Sequence, residues 1–254
     1  MRVLLIEDDR ASSRSLEIML KSYGSVYETA EDGEYGEYCA TNYEYDAIVV
    51  DVKLPKQDGL SILKTIRRAG IKTPVLIVSA NSNVEVKLKG LSFGADDYVT
   101  KPFNNKEVFA RLQAIIRRSK GFSSSVIQVG HVCVNLDDAT VTVKGEAVHL
   151  TCKEYAILEL LIMRKGHVIS KEKILEQLYN GKDEPELKII DVFVCKLRKK
   201  INQAYQKAVG TSINCIGTIW GRGYIFHNLD AIQNSEYNNY DENIDSQDKI
   251  RENS

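Results

Sequence analysis

At 254 residues the chain is long enough for one large domain or two ordinary ones. With 27% charged residues and a formal net charge of −1 it reads as a globular protein, not a disordered or fibrous one. No apolar run reaches the ~18–20 residues of a bilayer span, and MRVLLIEDD turns acidic too soon for a secretory signal.

Five scattered cysteines (39, 133, 152, 195, 215) lack the paired spacing of a zinc site, so reduced thiols, a cytoplasmic location and no membrane partner are expected. The charge is unevenly spread. Residues 1–120 carry 18 basic and 17 acidic groups, 121–228 carry 14 and 11, and 229–254 carry 2 and 7. An acidic tail masks a basic second region, an asymmetry that points to nucleic acid.

In chain order, the apolar runs VLLI (3–6), SVYET (25–29), DAIVV (46–50), PVLIV (74–78) and DYV (97–99) alternate with helix-length amphipathic stretches. Continuous apolar strands of this kind predict a parallel sheet covered on both faces, an α/β doubly wound domain of five units over 1–120. GFSSS (121–125) is a flexible linker. The short strands VIQV, HVCVNL, TVTV and AVHL follow, and Thr151-Cys-Lys-Glu154 has the form of a capping box that opens a helix with Tyr155, Leu158, Leu161 and Ile162 on one face. Ser170 suits the cap of a second helix, and Pro185 the first turn of a long third one. INCIGTIWGRGYIF (213–226) reads as a hairpin turning at Gly221-Arg222-Gly223. The residues after Leu229 are predicted to be a disordered, acidic and polar tail (229–254).

The strand ends carry the chemistry. The first strand stops at Glu7-Asp8-Asp9, the third at Asp51, the fourth at Ser79, and the fifth before Thr100-Lys101-Pro102. A doubly wound sheet gathers all of these on one edge, where its ligands bind. Clustered carboxylates repel one another without a counter-charge. A hard divalent cation such as Mg²⁺ answers that conflict and leaves room for phosphate. Lys101 and the Ser79 hydroxyl could then hold the oxygens of a phosphoryl group bonded to Asp51. Singly, each residue has an ordinary explanation: Asp8 or Asp9 as a helix cap, Lys-Pro as a turn, Ser79 as loop. Together they are far more specific. A phosphatase with a strand-end Asp nucleophile is disfavoured, because haloacid dehalogenase-like enzymes carry a second Asp where this chain has Lys53.

The order IEDD, DVKLP..DG, VSA, DDYVTKPF resembles a two-component response-regulator receiver over the whole of 1–120. That resemblance implies Glu7 and Asp8 as the acidic pair, Asp51 as phosphoacceptor and the Lys53 carbonyl as a further metal ligand. It also implies Ser79 and Tyr98 as switch residues, Lys101 as the phosphate-pairing lysine, and a cis bond before Pro102. Such a protein assists its own phosphorylation and dephosphorylation and is not otherwise an enzyme. A histidine kinase or a histidine phosphotransfer protein is the implied donor. Lys87, Asp96, Asp97, Glu107, Arg111 and Arg118 resemble the two-fold interface of OmpR/PhoB-type regulators, with the pairs Lys87–Glu107, Asp97–Arg111 and Asp96–Arg118 expected across a homodimer.

Projected at 100° per residue, the helix after Pro185 buries Leu187, Ile190, Val194, Leu197 and Ile201. Lys188, Val192, Cys195, Lys196 and Lys199 point the other way, with Arg198 and Lys200 on the flanks. An ordinary solvated face is the bland alternative. Apolar Val192 on that face and the near absence of acidic groups after Asp191 weaken it. In a major groove such lysines would meet phosphates and bases, and a hairpin would place Arg222 in or beside the minor groove.

The strands, three helices and hairpin resemble a winged helix-turn-helix (α+β) effector domain of the same family over 126–228. The loop YNGKDEPEL (179–187) corresponds to the segment that touches RNA polymerase. Cys195 stands where many relatives are basic, so base preference is not carried over from the family at large. DEPELKIIDVFVCKLRKK, RRSKG and WGRGY are closer to the family's cell-cycle subgroup, which implies AT-rich paired half-sites in double-stranded DNA and control of cell-cycle or division genes. A phospho-dependent adaptor that contacts no DNA is the rival expectation.

Overall fold

Strands that are apolar along their whole length need cover on both faces. The computed structural model, which describes residues 1–179 and 185–227, supplies it. β1 (Arg2–Ile6), β2 (Val26–Ala30), β3 (Ala47–Val50), β4 (Val75–Ser79) and β5 (Asp97–Thr100) form one parallel sheet in the order β2-β1-β3-β4-β5. They alternate with α1 (Arg10–Ser22), α2 (Gly33–Asn42), α3 (Gly59–Arg68), α4 (Val84–Ser92) and α5 (Asn105–Ser119). Leu16, Leu20, Val108, Leu112 and Ile115 of α1 and α5 pack on one face, and Cys39, Ala40, Ile62, Leu63 and Ile66 of α2 and α3 on the other. Asp9, Asp32, Asp58, Asn83 and Asn104 cap the five helices by accepting from first-turn N–H groups. This is the expected (βα)5 doubly wound unit.

The second unit starts with an antiparallel sheet of β6 (Val126–Val129), β7 (Val132–Asn135), β8 (Thr140–Val143) and β9 (Glu146–Ala147). Next come α6 (Cys152–Ile162), β10 (Val168–Ile169), α7 (Lys171–Tyr179), α8 (Lys188–Val209), β11 (Ile216–Ile219) and β12 (Gly223–Phe226). Ile157, Leu158 and Leu161 of α6 share a core with Ile190, Val194, Leu197 and Ile201 of α8. The predicted capping box at Thr151 and Glu154 is present.

Five details differ from expectation. Pro185 precedes the cap residue Leu187 by two positions and so lies outside the first turn of α8. Leu187 is 38% exposed because α8 begins only at Lys188, so Leu187 precedes the buried stripe instead of opening it. Strand β10, too short to show a period, exists by pairing with β12. The wing turns at Trp220-Gly221-Arg222, since Gly223 already pairs with Ile219 in the hairpin. AVHL contributes only Ala147 to a strand. The expected disordered tail, and residues 180–184 of the expected polymerase loop, lie outside the described residues.

The two units meet where the strand starts of the first face α6 and α7 of the second. Asp46 accepts from the Arg2 backbone N–H and from Gln177, both at 2.9 Å, with Lys120 at 3.4 Å. Arg2 also pairs with Glu176, and Lys173 with Glu44. Met163 packs against the cluster that contains Ile115 and Ile116.

Buried Glu154 closes the capping box and receives Lys200 Nζ at 2.6 Å. Burial opposes its charge, but Lys200 and the Thr151 N–H outweigh that and hold its pKa below the usual glutamate value. The stabilisation is therefore complete above the ordinary glutamate range and fades as pH falls through the depressed pKa. Glu154→Gln should lower the stability of the second unit by about 1–2 kcal/mol at pH 7 and flatten its pH dependence in the acid range, read by calorimetry. An unchanged midpoint would refute this role.

Candidate functional site

The ladder continues past the strand ends and sets out the pocket residues. The N–H groups of Glu7, Asp51 and Lys101 donate to the carbonyls of Ala30, Ile6 and Ser79 at 3.0, 3.0 and 2.9 Å. Because β1, β3, β4 and β5 are neighbours, Glu7, Asp51, Ser79 and Lys101 converge on one edge. Glu7, Asp51 and Ser79 are buried and Asp8 is exposed. The bond between Lys101 and Pro102 is cis. Asp58 caps α3, and Gly59 lets that helix start against the loop after β3: a Cβ there would lie 2.0 Å from the Asp51 carbonyl oxygen.

Lys101 Nζ lies 2.6 Å from Glu7 and 2.7 Å from Asp51. Burial works against its charge, but hydrogen bonds to Asp51 and Glu7 outweigh that and raise its pKa. Glu7 is pushed the other way from a normal carboxylate: burial raises its pKa, and Lys101 only partly offsets this. Carboxylate oxygens of Glu7, Asp8 and Asp51 lie within 4.8 Å of one another. One ammonium among three carboxyl groups, all hard oxygen donors with one of them open to water, fits a divalent cation. The cap question is settled by geometry. Asp9 takes the Ser12 N–H at 2.8 Å, which leaves Asp8 free for the pocket.

Ser79 and Tyr98 lie at the far side. The Tyr98 hydroxyl donates to the Asn81 carbonyl at 2.6 Å, and its ring is half-buried against Gly90 of α4, where a Cβ would sit 3.8 Å from it. Lys87 Nζ stands 5.6 Å from the ring centroid. Of the three charge pairs expected across α4, β5 and α5, Asp97–Arg111 closes within the chain, and the other charges find different partners. Arg111 reaches Asp97 at 2.7 Å and Glu107 at 2.8 Å. Asp96 accepts the Val75 N–H at 2.8 Å and lies 3.4 Å from Arg67. Arg118 donates to the Ala114 carbonyl at 3.3 Å. Sequence reasoning missed the apolar centre of this face: Val84, Leu88 and Leu91 of α4 are 66%, 61% and 46% exposed. Positions 84, 88 and 91 share one helical face, a spacing that the sequence pattern alone reads as a buried stripe, so the exposure of that stripe was decided by the tertiary structure.

On α8, Lys188, Val192, Cys195, Lys196 and Lys199 are exposed on one face, while Ile190, Val194, Leu197 and Ile201 are buried. The two flanking residues are engaged inside the domain. Arg198 donates to the Ile216 carbonyl and the Thr218 hydroxyl, both at 2.8 Å, and Lys200 is taken by Glu154. Arg198 thus ties α8 to the wing. Asp191 does the same from the other end, pairing with Lys171 at 2.7 Å and accepting from the Tyr224 hydroxyl. Beside Arg222, Trp220 is 79% exposed at the wing tip, a residue that the reading of the turn as Gly-Arg-Gly passed over.

Two family profiles match the chain. The response regulator receiver domain matches residues 3–113, and the C-terminal domain of transcriptional regulatory proteins matches 145–226. The second supports DNA binding over an adaptor. The cell cycle response regulator CtrA of Brucella anthropi is 53% identical over 231 residues, 91% of this chain and 97% of that protein. The CtrA protein of Brucella ovis is 52% identical over the same shares. Among solved structures, the Thermotoga maritima OmpR/PhoB homologue DrrB is 29% identical, with 89% of this chain and 98% of that one covered and a TM-score of 0.42. A receiver joined to a transcriptional regulatory domain, with this identity over nearly the whole length, places the chain in the OmpR/PhoB family of response regulators, among the CtrA-type members.

Proposed function

We propose that Asp51 accepts a phosphoryl group and that its modification drives receiver pairing and promoter binding, in the cytoplasm, at cell-cycle or division genes. The observation that carries this is Lys101, held between Glu7 and Asp51 at 2.6 and 2.7 Å. An Asp51 carboxylate oxygen attacks phosphorus of a phosphohistidine on a kinase or phosphotransfer protein. The P–N bond breaks, its electron pair leaves with the imidazole, and an acyl phosphate remains. Lys101 exchanges its contact with the carboxylate for one with a phosphoryl oxygen, and the Ser79 hydroxyl donates to another. Magnesium is the cation this donor set suits. Asp8, Asp51 and the Lys53 carbonyl would hold it beside Glu7, and it would neutralise phosphoryl charge when bound.

Drawing Ser79 toward phosphate shifts the β4–α4 loop, where the Asn81 carbonyl anchors Tyr98, so α4 and β5 respond together. In a two-fold dimer Arg111 can exchange its own Asp97 for that of a second copy, an exchange with little net electrostatic gain. Lys87–Glu107 and Asp96–Arg118 pairs would fix the register. The drive comes instead from Leu88, Leu91 and Val84, at about 1.5–3 kcal/mol for each side chain fully buried. Paired winged helices then meet AT-rich half-sites about one helical turn apart. Lys188 and Lys199 serve phosphates, Val192, Cys195 and Lys196 face base edges, and Arg222 with Trp220 enters the minor groove. Arg198 and Lys200 support this surface from within. The segment 179–187 is the proposed RNA polymerase contact.

Asp51→Asn should abolish uptake of phosphate from acetyl phosphate with Mg²⁺, together with the shift to dimer in light scattering; wild-type dimerisation by this variant would overturn the scheme. Asp8→Asn should weaken Mn²⁺ binding by about tenfold or more, followed by Mn²⁺ EPR, with equal affinity counting against the pocket as a cation site. On an AT-rich duplex, Lys199→Ala should weaken binding to cognate and random DNA alike and reduce the salt slope by about one. Lys196→Ala should mainly lose discrimination, and an equal loss on both duplexes would remove its base-reading role.

A further inference from the structure

Residues 28–46 hold seven acidic side chains, four tyrosines and no lysine or arginine. Phosphotransfer and DNA binding use none of them. On and just after α2, Tyr35, Tyr38 and Tyr43 are 47%, 52% and 47% exposed, and their rings form a continuous strip with centroids 6.3 and 6.2 Å apart. Exposed Glu31, just before the cap residue Asp32, and exposed Glu34, in the first turn of α2, stand at the N-terminal end of the strip, where Lys56 Nζ lies 3.9 Å from Glu34. Tyrosine is a favoured interface residue, and a contiguous exposed aromatic patch marks a contact surface.

The same stretch shows what chemistry it takes. At its inner end the Arg2 guanidinium lies 4.9 Å from the Tyr45 ring centroid and 3.5 Å from Glu28, a cation held between an aromatic face and a carboxylate. Lys56 pairs with Asp32 at 2.8 Å, and Lys173 reaches Glu44. Every cation that docks on this stretch arrives from outside it. The tyrosine strip between them offers the same two ingredients.

We propose that the outer face of α2 is a docking surface for an arginine- or lysine-bearing segment of a partner protein, its cations seated on Tyr35, Tyr38 and Tyr43 and paired with Glu31 and Glu34. The face lies at the β2 edge of the sheet, across from β5. A partner here can therefore be bound together with receiver pairing through α4, β5 and α5.

The test uses the full-length protein and a fluorescein-labelled peptide of alternating arginine and serine, with an alternating glutamate and serine peptide as control. The arginine peptide should bind, weaken as salt rises, and lose about tenfold or more in affinity with Tyr35→Ser/Tyr38→Ser. Tyr35→Phe/Tyr38→Phe should retain binding, because the rings remain. Acetyl phosphate uptake should be the same in all three proteins, which shows that the receiver is folded. Equal peptide affinity in the Ser variant would overturn the proposal by assigning the binding to another acidic surface, as would loss of the arginine-peptide complex on removing residues 229–254. A change in self-association without a change in peptide affinity would make the face a contact between copies of this chain and would also overturn it.

Discussion

One ammonium group holds the pocket together. Three carboxyl groups at two adjacent strand ends would be an unstable arrangement, and Lys101 bridging Glu7 and Asp51 makes it tolerable. The compensation is incomplete, and that is useful chemically. Excess negative charge and an exposed Asp8 leave a place for a hard cation, and in the proposed reaction the lysine is the group that meets the phosphoryl oxygens. A fully neutralised pocket would have no reason to take up either. The parallel ladder fixes the distances, so the chemistry follows from sheet order more than from any loop.

The same economy governs the paired charges. Arg111 satisfies Asp97 and Glu107 within one protomer, so the face on α4, β5 and α5 is electrostatically quiet by itself. Such partly exposed ion pairs are worth little and exchange readily. In the proposed dimer, specificity would reside in the charges and the free energy in burial of Val84, Leu88 and Leu91. In the DNA-binding unit the division is similar. Asp191 and Arg198 spend their charge on holding the wing against α8, which leaves Lys188, Lys196, Lys199 and Arg222 to face outward.

Much of this was legible in the chain because strand ends and helix faces have fixed periods. Asp51, Ser79 and Lys101 each end an apolar run, and the exposed face of α8 follows from 100° steps. What escaped was decided by contacts distant in sequence. No local pattern says that Lys200 will find Glu154 46 residues away, or that Arg198 will reach the carbonyl of Ile216. Asp8 and Asp9 look alike until one of them meets the Ser12 N–H. Leu187 failed for a subtler reason: the apolar period was right, but the helix started too late to carry it. Strand β10 has only two residues and owes its existence to β12.

Helix α5 joins regions that lie far apart on the receiver. Its first turns carry Glu107 and Arg111, and its last turn, with Lys120 just beyond, borders α6 through Ile116, Met163 and the Asp46 cluster. Fifteen helical residues measure about 22 Å, so a rigid tilt of only about 5° about one end displaces the other by roughly 2 Å. That is comparable to the spacing on which hydrogen bonds such as Gln177 to Asp46 depend. A rod fastened at both ends turns a change of angle into a change of fit.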